Sequence, residues 1–254
     1  MTDHIQTRIS DHILTLTIAR PERKNALTQA MYGAMADAIG NANDDKAVRA
    51  IVLTGEGDMF TAGNDLGDFA SLEARESGEP PVTRFLNTIR DAEKPIIVAV
   101  NGPAIGVGLT LLLHADIAYA ADTANFRAPF TALGLVPEAG SSMLLPATVG
   151  NSMTNEILLA GRILSADEAL ACGLVSRVVP SHELIGATMG CASKIAASPP
   201  NAVRKSKALI RSSRDAVARQ MAAEGKVFAE QLQSPEFAEA AAAFAQKRKP
   251  VFQD

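Results

Sequence analysis

The sequence predicts an α/β fold, because short apolar strands, glycine-bearing loops and helical segments follow one another along the chain. Residues 50–54 form a β-branched run that ends at Gly55, and residues 96–100 form a second run that ends in Asn101 and Gly102. A loop with glycine leads from each run towards a helical segment, TAGNDL from the first and PAIGVG from the second. Loops on one side of such strands can together build a site.

The other elements of the first 140 residues fit the same fold class. The chain opens on two apolar-alternating runs, residues 5–9 and 13–18, and the polar Ser10-Asp11-His12 between them predicts a hairpin. An amphipathic helix follows, for which Thr28 is the expected N-cap residue. A third strand is expected at residues 116–121, before a loop-rich section. The apolar face of the helix contains Met31, Ala34, Met35, Ala38 and Ala42.

The composition changes near residue 198, where Pro199 and Pro200 end the preceding helix and alanine becomes dominant. The helices predicted after this point span residues 201–210, 214–232 and 236–249. They are too thin a layer to hold a hydrophobic core of their own. We therefore expect residues 1–197 to form the core and residues 198–254 to form a helical appendage that packs on it or on another subunit.

Composition and charge exclude several classes of protein. Lys and Arg number 24 against 28 Asp and Glu, and a net charge of −4 argues against a nucleic-acid binder. With 47% hydrophobic residues, the chain is not a disordered acidic one. The most apolar stretch, residues 95–121, is interrupted by polar residues and glycines. Its unbroken apolar runs are therefore much shorter than the roughly 20 residues that a membrane span needs. Because the N-terminus also shows no apolar signal region, we expect a cytoplasmic protein.

Metal, thiol and serine chemistry are not indicated. Cys172 and Cys191 are too few for a disulfide framework or a metal cluster, which favours a reducing compartment. The four histidines show no metal-ligand spacing, so no metal site is expected, and no serine or cysteine stands beside a candidate base. His114 lies at the end of an apolar helical segment, where we expect a buried or capping histidine with a satisfied ring.

The glycine loops are better explained as a source of backbone N–H groups. Gly106 and Gly108 resemble the start of a dinucleotide-binding loop, but Leu111 stands where a third glycine would be needed. Residues 107–114 should be helical, which leaves the N–H of Val107 in the unpaired first turn. The loop at residues 62–64 could supply a second donor and complete an oxyanion hole. The alternative, that these glycines only permit tight turns, is the commoner role of glycine and stays open.

The combination of motifs resembles the crotonase superfamily, the enoyl-CoA hydratases and isomerases. The resemblance rests on FTAGNDL, KPIIVAVNGPAIGVGLTLLLHADIAYAADTANF, LGLVPEAGSS and LLAGRILSADEALACGLVSRVV, and it resumes at the terminal FAQKRKPVF. It implies a crotonase-like spiral of repeated β-β-α units with a C-terminal helical trimerisation region. It also implies an acyl-CoA thioester substrate whose enolate is stabilised by two backbone N–H groups, which fall on Asn64 and Val107.

Two departures from the hydratase pattern bear on the chemistry. The hydratases of the family that this chain resembles carry one glutamate after the second glycine loop and another after the next strand. This chain has Thr110 at the first of these positions and Phe130 at the second. Hydration of a double bond needs one group to activate water and one to deliver a proton. A threonine and a phenylalanine fill neither role, so simple hydratase activity is not expected.

Glu138 is the remaining acidic candidate. Its apolar neighbours in LGLVPEAGSS should raise its pKa, whereas the helix start expected at Gly140-Ser141 should lower it, so the net direction stays open. A glutamate in a loop is most often solvated, and the sequence alone does not exclude that reading. The P-E-x-x-S-S segment, however, resembles the Δ3,Δ2-enoyl-CoA isomerase branch, in which this glutamate moves the proton.

The resemblance therefore implies an isomerase that shifts the double bond of a 3-enoyl-CoA to the 2-enoyl position. Another crotonase-type acyl-CoA enzyme (hydratase-like, hydrolase, dehalogenase or decarboxylase) and a noncatalytic acyl-CoA-binding or interaction module are alternatives. Because coenzyme A is part of the substrate, no cofactor is expected. The expected assembly is a homotrimer or a hexamer. The basic residues 247–249 could add positive charge for coenzyme A. The implied catalytic residues are Glu138, Asn64 and Val107, and the implied substrate-binding residues are Arg23, Lys24, Ala62, Asp65, Leu66, Gly106, Thr110 and Phe130.

Overall fold

Two β-sheets organise the part of the chain that this computed structural model describes, residues 2–69 and 78–252. Six strands form the larger sheet and three form the smaller one. In chain order the described strands are β1 (Ile5–Ser10), β2 (Ile13–Ile18), β3 (Ala50–Gly55), β4 (Ile96–Val100), β5 (Ala104–Ile105), β6 (Ile117–Ala121), β7 (Asn125–Arg127), β8 (Leu164–Ser165) and β9 (Arg177–Val179). The α/β fold class predicted from the sequence is confirmed.

The larger sheet has the order β1-β2-β3-β4-β6-β9, in which only β1 and β2 are antiparallel neighbours. The predicted hairpin is confirmed, with Asp11 and His12 at φ angles of 51° and 64° in its two-residue turn. Such a left-handed turn matches the twist of the strands that it joins. Because β2, β3, β4 and β6 run parallel, their carboxyl ends meet at one edge, and both glycine loops start there.

Helices cover the two sheets. The described α-helices are α1 (Gln29–Asp44), α2 (Leu66–Phe69), α3 (Pro81–Asp91), α4 (Val107–Thr110), α5 (Ser141–Val149), α6 (Asn151–Leu158), α7 (Ala166–Ala171), α8 (Leu184–Ala197), α9 (Pro200–Ile210), α10 (Arg214–Leu232) and α11 (Pro235–Ala245). Among these residues, no helix combines the length and the apolar composition that a membrane crossing requires.

The core lies on both faces of β3 and β4, whose residues are almost all buried, as expected for central parallel strands. Ile51 and Val98 belong to the large cluster that also contains Met31 of α1 and Phe85 of α3. Alternate residues of the same strands point to the opposite face, where they pack with Ala192 and its neighbours on α8. The sheet is therefore an inner layer between helices, which fixes its carboxyl edge in place.

Several element boundaries differ from the sequence prediction. The buried face of α1 contains Met31, Tyr32, Met35 and Ile39, whereas the predicted Ala34 is only half-buried. Ala36 and the predicted Ala42 are buried in the core as well, so the buried face is shifted towards Tyr32, Ala36 and Ile39. The helix predicted at residues 107–114 is a single α-helical turn, α4, followed by a 3-10 turn, Leu111–Leu113. The last helix ends at Ala245 rather than at residue 249.

The helices after residue 198 pack on the rest of the chain. Helix α10 contacts α3 and α5, and α11 contacts the 3-10 turn Thr131–Leu133. Both helices contribute walls to the cavities described below. The packing on the core that was expected for the 198–254 region is therefore present, and its part in assembling a trimer stays a prediction.

Thr28 caps α1, as predicted, because its side-chain oxygen accepts a hydrogen bond from the N–H of Met31 at 3.3 Å. Replacing it by alanine leaves that N–H unpaired, and Thr28→Ala should lower the free energy of unfolding by about 1 kcal/mol. Urea denaturation measures the change, with Thr28→Ser as the matched control that keeps the hydroxyl. Equal losses in the two variants would show that the cap contributes nothing.

Candidate active site

Asn64 in the first glycine loop has a backbone N–H that points away from its neighbouring strand. Leu27 and Asn64 form an isolated parallel bridge, in which the N–H of Leu27 binds the carbonyl of Gly63 at 2.8 Å and the carbonyl of Leu27 accepts from Asp65 at 2.9 Å. This pattern uses the groups on either side of Asn64 and leaves its own N–H on the opposite side. Among the described residues, no acceptor lies within hydrogen-bond distance of it.

Val107 in the second glycine loop also has an unpaired N–H. Gly106 precedes α4 with φ 56° and ψ −117°, a conformation that only glycine adopts without strain. Its carbonyl accepts from Leu109 and Thr110, which closes the first turn and leaves Val107 at the first helical position. An N–H there has no intrahelical partner. The described residues offer it no other acceptor, as the sequence led us to expect.

The two loops run side by side. The N–H of Thr61 binds the carbonyl of Pro103 at 3.2 Å, and the N–H of Ile105 binds the carbonyl of Thr61 at 3.0 Å. Gly63 has φ +88°, and a Cβ there would lie 2.9 Å from the carbonyl oxygen of Ile105, so the contact requires glycine. These contacts bring Asn64 and Val107, the two residues with unpaired amides, to the wall of one cavity of about 640 Å³.

This larger cavity contains most of the predicted site residues. Aromatic side chains from the C-terminal helices close its outer part, namely Phe228 of α10 and Phe237 and Phe244 of α11. The predicted site residues in its wall are Arg23, Ala62, Asn64, Asp65, Gly106, Val107 and Phe130. A flat thioester group with its oxygen at the two amides would fit such a place, since preorganised N–H donors stabilise a developing oxyanion.

Glu138 lies in the wall of a second cavity of about 450 Å³, which shares Asn64 and Phe228 with the first. Apolar side chains of α3 and α10 form most of its lining, Leu86, Met221 and Leu232 among them. Glu138 is half-buried and faces this cavity, so the alternative of a solvated loop glutamate is wrong. The carboxylate therefore opens on an apolar slot that meets the larger cavity at Asn64.

Thr110 holds the carboxylate of Glu138. Its hydroxyl donates to Oε1 at 2.5 Å, and the same hydroxyl lies 3.5 Å from the carbonyl oxygen of Val107. Thr110 is fully buried and is absent from the walls of both cavities. The residue at the first hydratase glutamate position thus contacts the candidate base, where the sequence had suggested a contact with substrate.

Burial raises the pKa of Glu138 from its ordinary value of 4.5 to about 7. The hydrogen bond from Thr110 opposes this rise, while the negative charge of Glu224 adds to it. The direction that the sequence left open is therefore upwards, because the loss of water outweighs the hydrogen bond from Thr110. A carboxyl group with a pKa near neutrality can both accept and return a proton.

A strained turn follows Glu138. Ala139 and Gly140 both have left-handed backbone conformations, at φ 59° and 72°. His114 steadies the first of them, since its Nε2–H donates to the carbonyl of Ala139 at 2.6 Å. Burial lowers the pKa of His114 to about 4, so the ring is neutral, with Nε2 as the donor. The prediction of a satisfied, buried histidine is confirmed, as is the helix start at Ser141.

The remaining predicted residues lie near the larger cavity or outside it. Asp65 pairs with Arg20 at 2.8 Å, which holds its pKa below the usual range, and its Oδ1 accepts the N–H of Gly67, so Asp65 shapes the Asn64 loop. Lys24 is exposed and is not part of the cavity wall, although its carbonyl accepts from Ala62. Leu66 begins α2, and its side chain lies outside the described residues.

The basic residues 247–249 are exposed and contribute to neither cavity wall. Arg248 forms an ion pair with Glu239 at 2.5 Å, which ties the end of the chain to α11. A role in binding coenzyme A stays a prediction for this cluster. Within the described ranges, no three His, Cys, Asp or Glu side chains are grouped so as to hold a metal ion.

Sequence reasoning missed Tyr32 and helix α10 as contributors to the site. Tyr32 donates from its phenol to Oδ1 of Asn64 at 2.5 Å, and burial together with the charge of Glu138 raises the pKa of Tyr32 well above its ordinary value. The polar partner that a buried tyrosine usually needs was the available signal. Helix α10 supplies Phe228 and Glu224, which were overlooked because the C-terminal region was treated as an appendage.

Comparison with known proteins shows the family to which the chain belongs. A family model described as enoyl-CoA hydratase/isomerase matches residues 8–254. An enoyl-CoA hydratase/isomerase structure from Pseudoalteromonas atlantica T6c superposes with a TM-score of 0.95 at 52% sequence identity, and the match covers 99% of this chain and 100% of that one.

Two curated relatives carry isomerase names. Rat enoyl-CoA delta isomerase 2 is 42% identical over 204 residues, 78% of this chain, and human mitochondrial Delta(3,5)-Delta(2,4)-dienoyl-CoA isomerase is 35% identical over 224 residues, 82% of this chain. The matched segments span 52% of the rat protein and 68% of the human one. Since the family model covers nearly the whole sequence, the chain belongs to the enoyl-CoA hydratase/isomerase family of the crotonase superfamily.

Proposed function

We propose that the protein is an enoyl-CoA isomerase that moves the double bond of a 3-enoyl-CoA to the 2-enoyl position, with Glu138 as its single acid/base. The observation that carries the proposal is the placement of Glu138, a carboxylate with a raised pKa that faces an apolar cavity beside Asn64. The isomerase names of two relatives support the same reaction class.

In the proposed reaction, the thioester oxygen accepts hydrogen bonds from the N–H groups of Asn64 and Val107. Ionised Glu138 removes a proton from C2 of the 3-enoyl chain, and the electron pair spreads over a dienolate onto the thioester oxygen. The same carboxyl group then returns the proton to C4, which leaves a 2,3 double bond. The proton count balances without water, and coenzyme A is part of the substrate, so the reaction requires no cofactor.

The surroundings of Glu138 favour proton transfer over hydration. Thr110 and Phe130 occupy the two positions where the hydratase pattern has glutamates, and neither can activate a water molecule. Phe130 is buried in the cavity wall, and the hydroxyl of Thr110 is directed at Glu138. An apolar slot excludes water that would compete for the dienolate.

The substrate's two ends fit the two cavities in this proposal. Arg23 lines the larger cavity and is exposed, as a contact to the phosphates of coenzyme A requires. The smaller cavity, with its lining from α3 and α10, would take the acyl chain beyond C4. A homotrimer or hexamer and a cytoplasmic location belong to the same proposal.

The direct test is to incubate the protein with a 3-enoyl-CoA and follow the absorbance of the conjugated 2-enoyl product. The wild-type protein should form it, and Glu138→Gln should lower kcat by at least about 100-fold, the usual contribution of a positioned acid/base. Glu230→Gln, an exposed glutamate on α10, is the matched control and should leave kcat unchanged. Equal turnover by wild type and Glu138→Gln would exclude Glu138 as the base.

The pH dependence of kcat/KM should report the ionisation of Glu138. Because the base must be ionised to accept a proton, kcat/KM should rise with pH and level off above about pH 7, where Glu138 titrates. Thr110→Val removes a hydrogen bond that stabilises the carboxylate, so the rising part of the pH profile, its acidic limb, should move to higher pH. A limb that stays in place in Thr110→Val would contradict the assignment.

Ionisation of Glu138 should also cost stability. The pKa of Glu138 is about 7 in the folded state and 4.5 in the unfolded state. The contribution of this group to the free energy of unfolding is therefore at its most favourable below pH 4.5, and it is lost as pH rises through 7. Glu138→Gln should therefore increase the free energy of unfolding at pH 8 by up to about 3 kcal/mol, and the gain should vanish at pH 4.5. Urea denaturation at both pH values provides the measurement. A pH-independent difference would argue against the raised pKa.

A further inference from the structure

Glu224 is a buried acidic residue that no step of the proposed reaction uses. It lies on α10, with 7% of its surface exposed. Its Oε2 accepts the N–H of Gly140 at 2.6 Å, and its Oε1 accepts the N–H of Ser142 at 3.0 Å and the hydroxyl of Ser142 at 2.5 Å. All three donors belong to the turn that begins at Glu138.

These bonds replace a cap that the local sequence does not supply. Helix α5 begins at Ser141, and the residue before it is Gly140, which has no side chain to cap the first turn. The first N–H groups of a helix need acceptors, and a carboxylate is well placed there because of the helix dipole. Glu224 provides that acceptor from 84 residues away in the sequence.

The turn needs outside support because it is strained. Ala139 has φ 59°, and a left-handed conformation is unfavourable for a residue with a Cβ, because the Cβ approaches the following carbonyl oxygen. His114 binds the carbonyl of Ala139 from one side, and Glu224 binds the next N–H from the other. Val217 and Met221 of α10 also pack closely against Gly140. The direction of the Glu138 side chain thus depends on contacts made by α10.

We propose that Glu224 is a positioning residue for the isomerisation, whose carboxylate holds the 138–142 turn so that Glu138 faces the acyl carbons. The inference rests on the proposed function. It gives the C-terminal region a part in proton transfer, in addition to closing the cavities and to the predicted role in assembly.

Glu224 also acts on Glu138 through its charge. The groups that face Glu138 are Thr110 from α4, Tyr32 from α1 and Glu224 from α10, and the charge of Glu224 raises the pKa of Glu138. Removing that charge should lower the pKa of Glu138 and make it a weaker base. The pKa change reports the loss of this charge, and the loss of the positioning contacts has to appear separately, as a fall in kcat and as faster hydrogen exchange of the turn.

The test compares Glu224→Gln, which loses the charge and one acceptor, with the control Glu230→Gln on the same helix. Glu224→Gln should lower kcat roughly 10- to 100-fold, as a misplaced base does, with less than a twofold change in KM. The acidic limb of its pH profile should move to lower pH, and Glu230→Gln should match the wild type. Wild-type kcat and an unmoved limb in Glu224→Gln would overturn the proposal.

Two further measurements separate this inference from the proposed reaction. Hydrogen exchange of the peptide covering residues 138–145 should accelerate in Glu224→Gln, and the pKa of Glu138 from carboxyl ¹³C shifts should fall, whether or not 3-enoyl-CoA is the substrate. If the wild-type protein fails to isomerise but both changes occur, the turn is held as proposed and the reaction is wrong. If Glu224→Gln does not fold, Ser142→Ala, which removes one donor to Glu224 and keeps its charge, should accelerate the hydrogen exchange to a smaller extent, and its failure to do so would overturn the inference.

Discussion

The candidate site depends on one costly arrangement, a carboxylate kept in apolar surroundings in a cavity that it shares with Asn64, whose backbone N–H has no partner among the described residues. An ionised group that loses water must be hydrogen-bonded or it takes up a proton instead. Within the described part of the chain, the carboxylate of Glu138 receives one hydrogen bond, from Thr110, and its pKa consequently stays near neutrality rather than far above it. The structure around it fixes this intermediate state, in which proton uptake and release are both accessible.

The two amides follow from backbone geometry that the sheet imposes. Parallel strands bring two glycine loops to the same edge, and the loops bind each other through Thr61 and Ile105. Asn64 lies in a parallel bridge and Val107 at the start of a helical turn, and both positions leave an N–H with no acceptor among the described residues. Tyr32 adds a fixed contact to the side chain of Asn64. The donors are therefore oriented before a substrate arrives, which is the requirement for electrostatic stabilisation of an oxyanion.

Local patterns predicted much of the fold and part of the site. The hairpin, the N-cap at Thr28 and the central strands follow from alternation, capping chemistry and β-branched runs, which act over a few residues. The unpaired N–H of Val107 also followed from its place after Gly106. The motif resemblance supplied Glu138 as the candidate acid/base, since a glutamate in a loop has no distinctive pattern of its own.

What the sequence could not show are contacts between distant residues. Thr110 and Glu138 are 28 residues apart, Tyr32 and Asn64 are 32 apart, and Glu224 lies 84 residues from Gly140. No periodicity encodes such pairs, because they form only when the helices pack. The same limit explains why the net direction of the Glu138 pKa was open, since the burial that decides it is a property of the assembled fold.

A structure of the protein with a non-isomerisable acyl-CoA analogue tests the central claim most directly. The account predicts a thioester oxygen within about 3 Å of the backbone nitrogens of both Asn64 and Val107, which is ordinary hydrogen-bond distance. It also predicts that the Glu138 carboxylate lies over C2 and C4, at about 3–3.5 Å from each. A thioester bound away from the two amides, or a carboxylate turned from the acyl carbons, would contradict it.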